Sequence, residues 1–128
     1  LTISGANTGL GGETNPSYAA DVAGTMSASE VRWTSDERLK TSAETISDPL
    51  ERVVALGGYT FQWDESHESA GQRAAGHLAQ EVRDVLPEAV DDTGEYMTLK
   101  SGSMAALHTS AIKALVERVQ ELEEVAYD

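Results

Sequence analysis

The chain has 128 residues, 40% of them apolar, and nine basic against twenty-two acidic side chains give it a net charge of −13. That length allows one modest core plus the stub of a second unit, and the negative field argues against nucleic acid and anionic membrane surfaces as partners. Cysteine is absent, which removes disulfides, thiolate metal sites and cysteine nucleophiles.

The acid is spread as about −2 over residues 1–34, −8 over 35–100 and −3 over 101–128, the pattern of a solvated surface rather than an acidic tail. Only Lys40, Lys100 and Lys113 are lysines, and an acidic, lysine-poor surface predicts a salt-adapted protein. A start at Leu1, with neither a membrane-length apolar run nor a secretion signal, predicts a fragment of a longer soluble protein.

Residues 1–34 are rich in Gly, Ser, Thr and Ala, and Gly5, Gly9, Gly11, Gly12 and Gly24 punctuate short apolar pieces such as Leu1-Thr2-Ile3 and Val31-Arg32-Trp33. Short strands joined by turns are expected. With so few large apolar side chains the piece closes no core of its own, so it is either a flexible linker or the end of an intertwined β-stalk.

Asp48 stands where it can cap a helix whose first turn takes Pro49, with Leu50, Val53, Val54 and Leu56 near helical spacing before Gly57-Gly58 stops it. Tyr59, Phe61 and Trp63 alternate with Thr60 and Gln62, a strand with three aromatics on one face, which is expected to be core. Residues 64–75 read as a polar surface loop. Leu78, Ala79, Val82, Val85 and Leu86 mark a second short helix, closed by Pro87. A turn over Asp91–Gly94 and a short strand over Tyr96–Leu99 follow.

From about Ser103 to Ala126 the chain has no Gly or Pro, and Ile112, Leu115, Val119 and Leu122 recur at alternating intervals of three and four. This spacing predicts one long helix with the seam of a coiled coil, continued backward through Ala105 and His108 and forward to Ala126. The strong apolar part covers only about two heptads, so periodicity fits an ordinary packed amphipathic helix equally well.

Four pieces in order carry a resemblance: Ser35-Asp36-Glu37-Arg38-Leu39-Lys40, Leu56-Gly57-Gly58-Tyr59-Thr60-Phe61-Gln62-Trp63, Gly76-His77-Leu78-Ala79-Gln80-Glu81-Val82 and Leu86-Pro87-Glu88-Ala89-Val90. Together they resemble the intramolecular chaperone auto-processing domain, a serine peptidase family typified by the releasable C-terminal domain of phage endosialidase tailspikes. The resemblance covers about residues 33–126. Upstream, Thr14-Asn15-Pro16-Ser17-Tyr18 and Asp21-Val22-Ala23-Gly24-Thr25 look like the stalk that precedes this domain in fibre proteins, which tips residues 1–34 toward stalk.

The resemblance implies an α+β fold: a short β-stalk segment over 1–34, and a chaperone and auto-processing domain over 35–128. That domain is a small mixed α/β part plus a long C-terminal helix forming a trimeric bundle or coiled coil. It also implies a homotrimer that assists folding of the preceding β-fibre of a viral tail fibre or tailspike. Cleavage falls between Thr34 and Ser35, with Ser35 as nucleophile and Lys40 as base. A non-cleaving trimerisation cap at the fibre tip is the alternative.

A serine hydroxyl needs a nearby base at neutral pH, and a lysine amine can serve if it is kept neutral. Five residues apart on a regular helix, Ser35 and Lys40 would lie about 140° apart around the axis. The serine must therefore sit in a turn ahead of any helix, or meet a lysine from a neighbouring chain. Asp36 can cap that turn and Arg38 can hold a carbonyl or carboxylate, while Gln80 and Glu81 either contact the cleavage site or lie on an exposed helix. His67, His77 and His108 share no metal-ligand spacing, so no metal is expected, and no sequence feature implies a cofactor.

Overall fold

The computed structural model describes residues 8–10, as backbone, and 18–127. The expected strand at Leu1-Thr2-Ile3, the glycines at 5, 11 and 12 and the run Thr14–Ser17 lie outside the described residues. The chain divides into two units, Leu1–Thr41 and Ser42–Asp128.

In the first unit, strand β1 (Thr8–Leu10) pairs in parallel with β2 (Ala20–Val22), Leu10 opposite Val22. Val31-Arg32-Trp33 is not a strand: it is irregular and exposed, with Arg32 turned onto the Glu30 carboxylate at 3.1 Å. A single 3₁₀ turn, Glu37–Leu39, then follows.

The second unit begins with helix α1 (Pro49–Val54), shorter than the apolar spacing suggests. Asp48 holds the cap position, but with φ 49° it sits in the left-handed region and its side chain makes no capping bond. The turn is tied instead by Arg52, which donates to the Ser47 carbonyl at 2.6 Å and the Ser47 hydroxyl at 3.0 Å and also to the Val85 carbonyl.

Strand β3 (Tyr59–Gln62) pairs antiparallel with β4 (Arg73–Gly76), Tyr59 opposite Gly76 and Gln62 opposite Arg73. The last residues of the expected loop 64–75 are therefore strand. Arg73-Ala74-Ala75 has no β-branched or aromatic residue to announce one, and pairing with β3 imposes the extended backbone. Gly71, at φ 83°, supplies the left-handed residue the hairpin neck requires and donates its N–H to the Trp63 carbonyl at 3.0 Å.

The aromatic face of β3 is also not core. Tyr59 and Trp63 are each 38% exposed and Phe61 is half-buried, because nothing among the described residues closes over the face. The rings cover one another: Phe61 meets Trp63 edge-on at 5.0 Å, and Trp63 stacks on His67 at 3.9 Å.

The core lies elsewhere. Helix α2 (Ala79–Val85) runs into a 3₁₀ turn, Pro87–Ala89, and strand β5 (Val90–Asp91), which pairs antiparallel with β6 (Thr98–Leu99). Val82, Leu86, Ala89 and Val90 from this stretch close on Leu107 of helix α3 (Ser103–Tyr127), with Ile46, Val53, Leu56 and Met104 packed around them. Each fully buried aliphatic side chain contributes about 1.5–3 kcal/mol, so this cluster fixes α1, α2 and the first half of α3 as one body. The fold is thus mixed α/β with small two-stranded sheets and a long C-terminal helix.

Candidate functional site

Ser35 and Lys40 flank the 3₁₀ turn Glu37–Leu39. A 3₁₀ turn advances faster along its axis than an α-helix and winds three residues per turn. Asp36 before it (φ −64°, ψ 130°) and Lys40 after it (φ −118°, ψ 140°) are extended, so the chain enters and leaves the turn in extended conformation. The result is direct contact: Lys40 Nζ donates to Ser35 Oγ at 2.7 Å, within one chain. Both side chains are exposed, as is Thr34.

The turn is closed by two backbone bonds, Leu39 N–H to the Asp36 carbonyl and Lys40 N–H to the Glu37 carbonyl, each 3.1 Å. Asp36 caps it by accepting the Arg38 amide on Oδ1 at 2.9 Å. Arg38 folds back onto the same carboxylate, Nε to Oδ1 at 3.0 Å and Nη2 to Oδ2 at 2.8 Å. The guanidinium, and after it the Arg38 amide, hold the Asp36 carboxyl below the usual carboxylate range, and Arg38 is pushed up in turn.

Gln80 and Glu81 take their places in the second unit, on α2. Gln80 is exposed and Glu81 half-buried. The Glu81 carboxylate accepts the Tyr59 hydroxyl on Oε1 at 2.5 Å and the Gly57 amide on Oε2 at 3.2 Å, tying the start of β3 to α2. This bond to Glu81 raises the Tyr59 phenol above its ordinary value. A side chain at Gly57 would meet the Tyr59 ring at 2.5 Å, so glycine is what lets the phenol reach the carboxylate.

Sequence spacing gave no hint that His77 and His108 are neighbours, yet their rings lie 6.1 Å apart. They share no sequence interval because the hairpin and the folding of α3 bring them together. Among the described residues no group of three or more His, Asp or Glu side chains gathers as a metal site, and no helix is long and apolar enough to cross a membrane. The seam residues Ile112, Leu115, Val119 and Leu122 all lie exposed on α3.

Residues 35–91 match the family described as chaperone of endosialidase. The chain is 30% identical over 107 residues to the long tail fibre protein Gp37 of Salmonella phage S16, and 36% identical over 106 residues to the long tail fibre protein Gp37 of Enterobacteria phage K3. Each alignment takes in 77% of this chain but only 14% and 8% of those relatives, which are far longer. The family match begins at Ser35, the first residue of the hydrogen-bonded turn, and runs through β3, β4, α2 and β5. The likeness of this chain to the chaperone-of-endosialidase family thus extends over residues 35–91.

Proposed function

We propose that the chain is the C-terminal intramolecular chaperone of a phage tail fibre, carried in the virion's fibre polypeptide. It assembles as a homotrimer, assists folding of the β-fibre that precedes it, and cuts itself once at Thr34–Ser35. The division of labour follows the sequence, with residues 1–34 as the end of the stalk and 35–128 as the chaperone domain.

The observation that carries this reading is the 2.7 Å contact between Lys40 Nζ and Ser35 Oγ at the first residue of the family match. In the reactive form the amine is neutral and the contact is reversed, Ser35 O–H donating to Lys40 Nζ. Oγ attacks the Thr34 carbonyl carbon as its proton passes to Lys40. The Thr34–Ser35 C–N bond breaks, Lys40 returns the proton to the leaving nitrogen, and an ester joins the Thr34 acyl group to Ser35 Oγ. Water hydrolyses that ester, leaving a Thr34 carboxylate and a Ser35 with its hydroxyl and a new α-amine. Each chain reacts once.

Exposure of both side chains within one chain makes neighbours in the trimer the source of the desolvation that the amine needs, so cleavage follows assembly. The uncovered α3 seam supports this order. The same seam also serves the second reading, a trimerisation cap that never cleaves.

Mass measurement of assembled protein separates the two. The wild type yields fragments ending at Thr34 and beginning at Ser35, while Ser35→Ala stays whole and still trimerises. Lys40→Arg also stays whole, since a guanidinium keeps its proton. Cleavage of Lys40→Arg at the wild-type rate would remove the lysine as base, and an intact wild-type trimer leaves the non-cleaving cap.

A further inference from the structure

The contact between Ser35 and Lys40 depends on a turn that has little to hold it. Glu37–Leu39 is a single 3₁₀ turn with no buried residue, closed by two backbone bonds. Short 3₁₀ turns have poor hydrogen-bond geometry, and an exposed one gains nothing from packing. The other polar groups in the turn do supply a restraint: one carboxylate, on Asp36, accepts the Arg38 amide and both arms of the Arg38 fork.

We propose that Asp36 and Arg38 form a clamp whose work is to set Ser35 Oγ against Lys40 Nζ, which makes both of them positioning residues. The clamp closes over Glu37, the middle of the stretch separating the two reactive side chains. It fixes the direction in which the chain leaves Ser35 and, through the Arg38 amide, the start of the turn that delivers Lys40. Two of the Arg38 donors, on Nε and Nη2, are committed to Asp36 in this clamp. The inference deepens the reading of Ser35 and Lys40 as the reactive pair and rests on it.

Two readouts test the clamp, one of them independent of cleavage. The chain has no cysteine, so Ser35→Cys introduces a single thiol into the full-length protein. A free thiol ionises near pH 8.5, and an adjacent ammonium lowers that value. Iodoacetamide alkylation rates against pH give the thiol's midpoint in four proteins: S35C, S35C/K40M, S35C/D36N/R38Q and S35C/D36N. The D36N/R38Q pair removes one charge of each sign, leaving the local net charge unchanged, and the side-chain amide of D36N keeps an oxygen to accept the backbone N–H of residue 38.

S35C is expected to ionise lower than S35C/K40M by at least about half a unit, a roughly threefold gain in thiolate at neutral pH. S35C/D36N/R38Q is expected to match S35C/K40M, with S35C/D36N between. If S35C/D36N/R38Q keeps the S35C midpoint, the clamp does not position the pair. If S35C and S35C/K40M ionise alike, the contact itself is absent in solution and the clamp has nothing to set.

The second readout uses the native serine. D36N/R38Q is expected to cleave at least about tenfold more slowly than wild type at equal trimer content and equal melting midpoint, the cost of misplaced reacting groups. Cleavage at the wild-type rate overturns the clamp alone. A wild type that never cleaves, beside thiols that behave as expected, instead rejects self-cleavage and leaves the clamp supported.

Discussion

The two halves of α3 carry the same apolar rhythm and meet opposite fates. In the first half Leu107 is wholly buried and Ala111 nearly so, under α1, the Pro87–Ala89 turn and Met104. In the second, Ile112, Leu115, Val116, Val119, Leu122 and Val125 run down the helix exposed. About half of this 25-residue helix therefore projects an apolar stripe with no partner among the described residues. Helix periodicity states which face is apolar, but nothing in it states whether the partner is the same chain or another copy.

Substitutions placed in each half should separate folding from assembly. Leu115, 54% exposed in the single chain, lies on the proposed trimer seam. Leu115→Asp is expected to abolish the trimer, since it buries three carboxylates around one axis at several kcal/mol each if unpaired, while leaving the monomer's circular dichroism unchanged. Sedimentation at micromolar concentration checks it, and wild-type trimer content would move the seam elsewhere.

Leu107→Ala reverses that pattern. Its side chain is 0% exposed, so the cavity should cost about 2–5 kcal/mol of stability in every oligomeric state. Denaturant unfolding of the monomeric Leu115→Asp background against the double variant reads this cost without interference from assembly.

The bond between β3 and α2 has its own pH dependence. Tyr59 donates to Glu81 as a neutral phenol, and its folded pKa is raised above the ordinary value of 10.0. A raised folded pKa means that the contribution is complete below the unfolded value and is lost as pH rises through the folded one. Wild-type melting midpoints should therefore fall above about pH 10, whereas Tyr59→Phe starts lower at neutral pH and loses no more from this source. Parallel slopes for the two proteins in that window would remove the Tyr59–Glu81 bond as a stabilising contact.

The smallest effect belongs to the uncovered half and the acidic surface as a whole. Glu117, Glu121, Glu123 and Glu124 surround the stripe, and the chain carries −13 overall. Molar potassium chloride should raise the melting midpoint by screening this repulsion. A flat or falling midpoint would end the salt-adapted reading.

Much of the second unit was legible from residues alone. Pro49 and the Gly57-Gly58 stop bracket α1, Pro87 closes α2, and the absence of Gly and Pro runs α3 from Ser103 to its end. These signals are local: each acts through the dihedrals or hydrogen bonds of a few neighbouring residues. The local turn of the Ser35–Lys40 motif was legible in the same sense, as Ser35 and Lys40 sit on either side of a turn that Asp36 caps with its own side chain.

What sequence left undecided were matters of partnership. Alternation alone put Tyr59, Phe61 and Trp63 on one face, but whether that face is core depends on whether another layer covers it, and here the layer formed around Val82 and Leu107 instead. Arg73–Gly76 became strand because β3 offered its backbone groups, a choice made by hydrogen bonding across the hairpin and not by the side chains of β4. The Ser35–Lys40 distance, the closure of Arg38 on Asp36 and the meeting of Glu81 with Tyr59 likewise required three dimensions. Local propensity and periodicity determine which elements form and which face of each is apolar; burial is a property of what lies opposite, and only the tertiary structure supplies that.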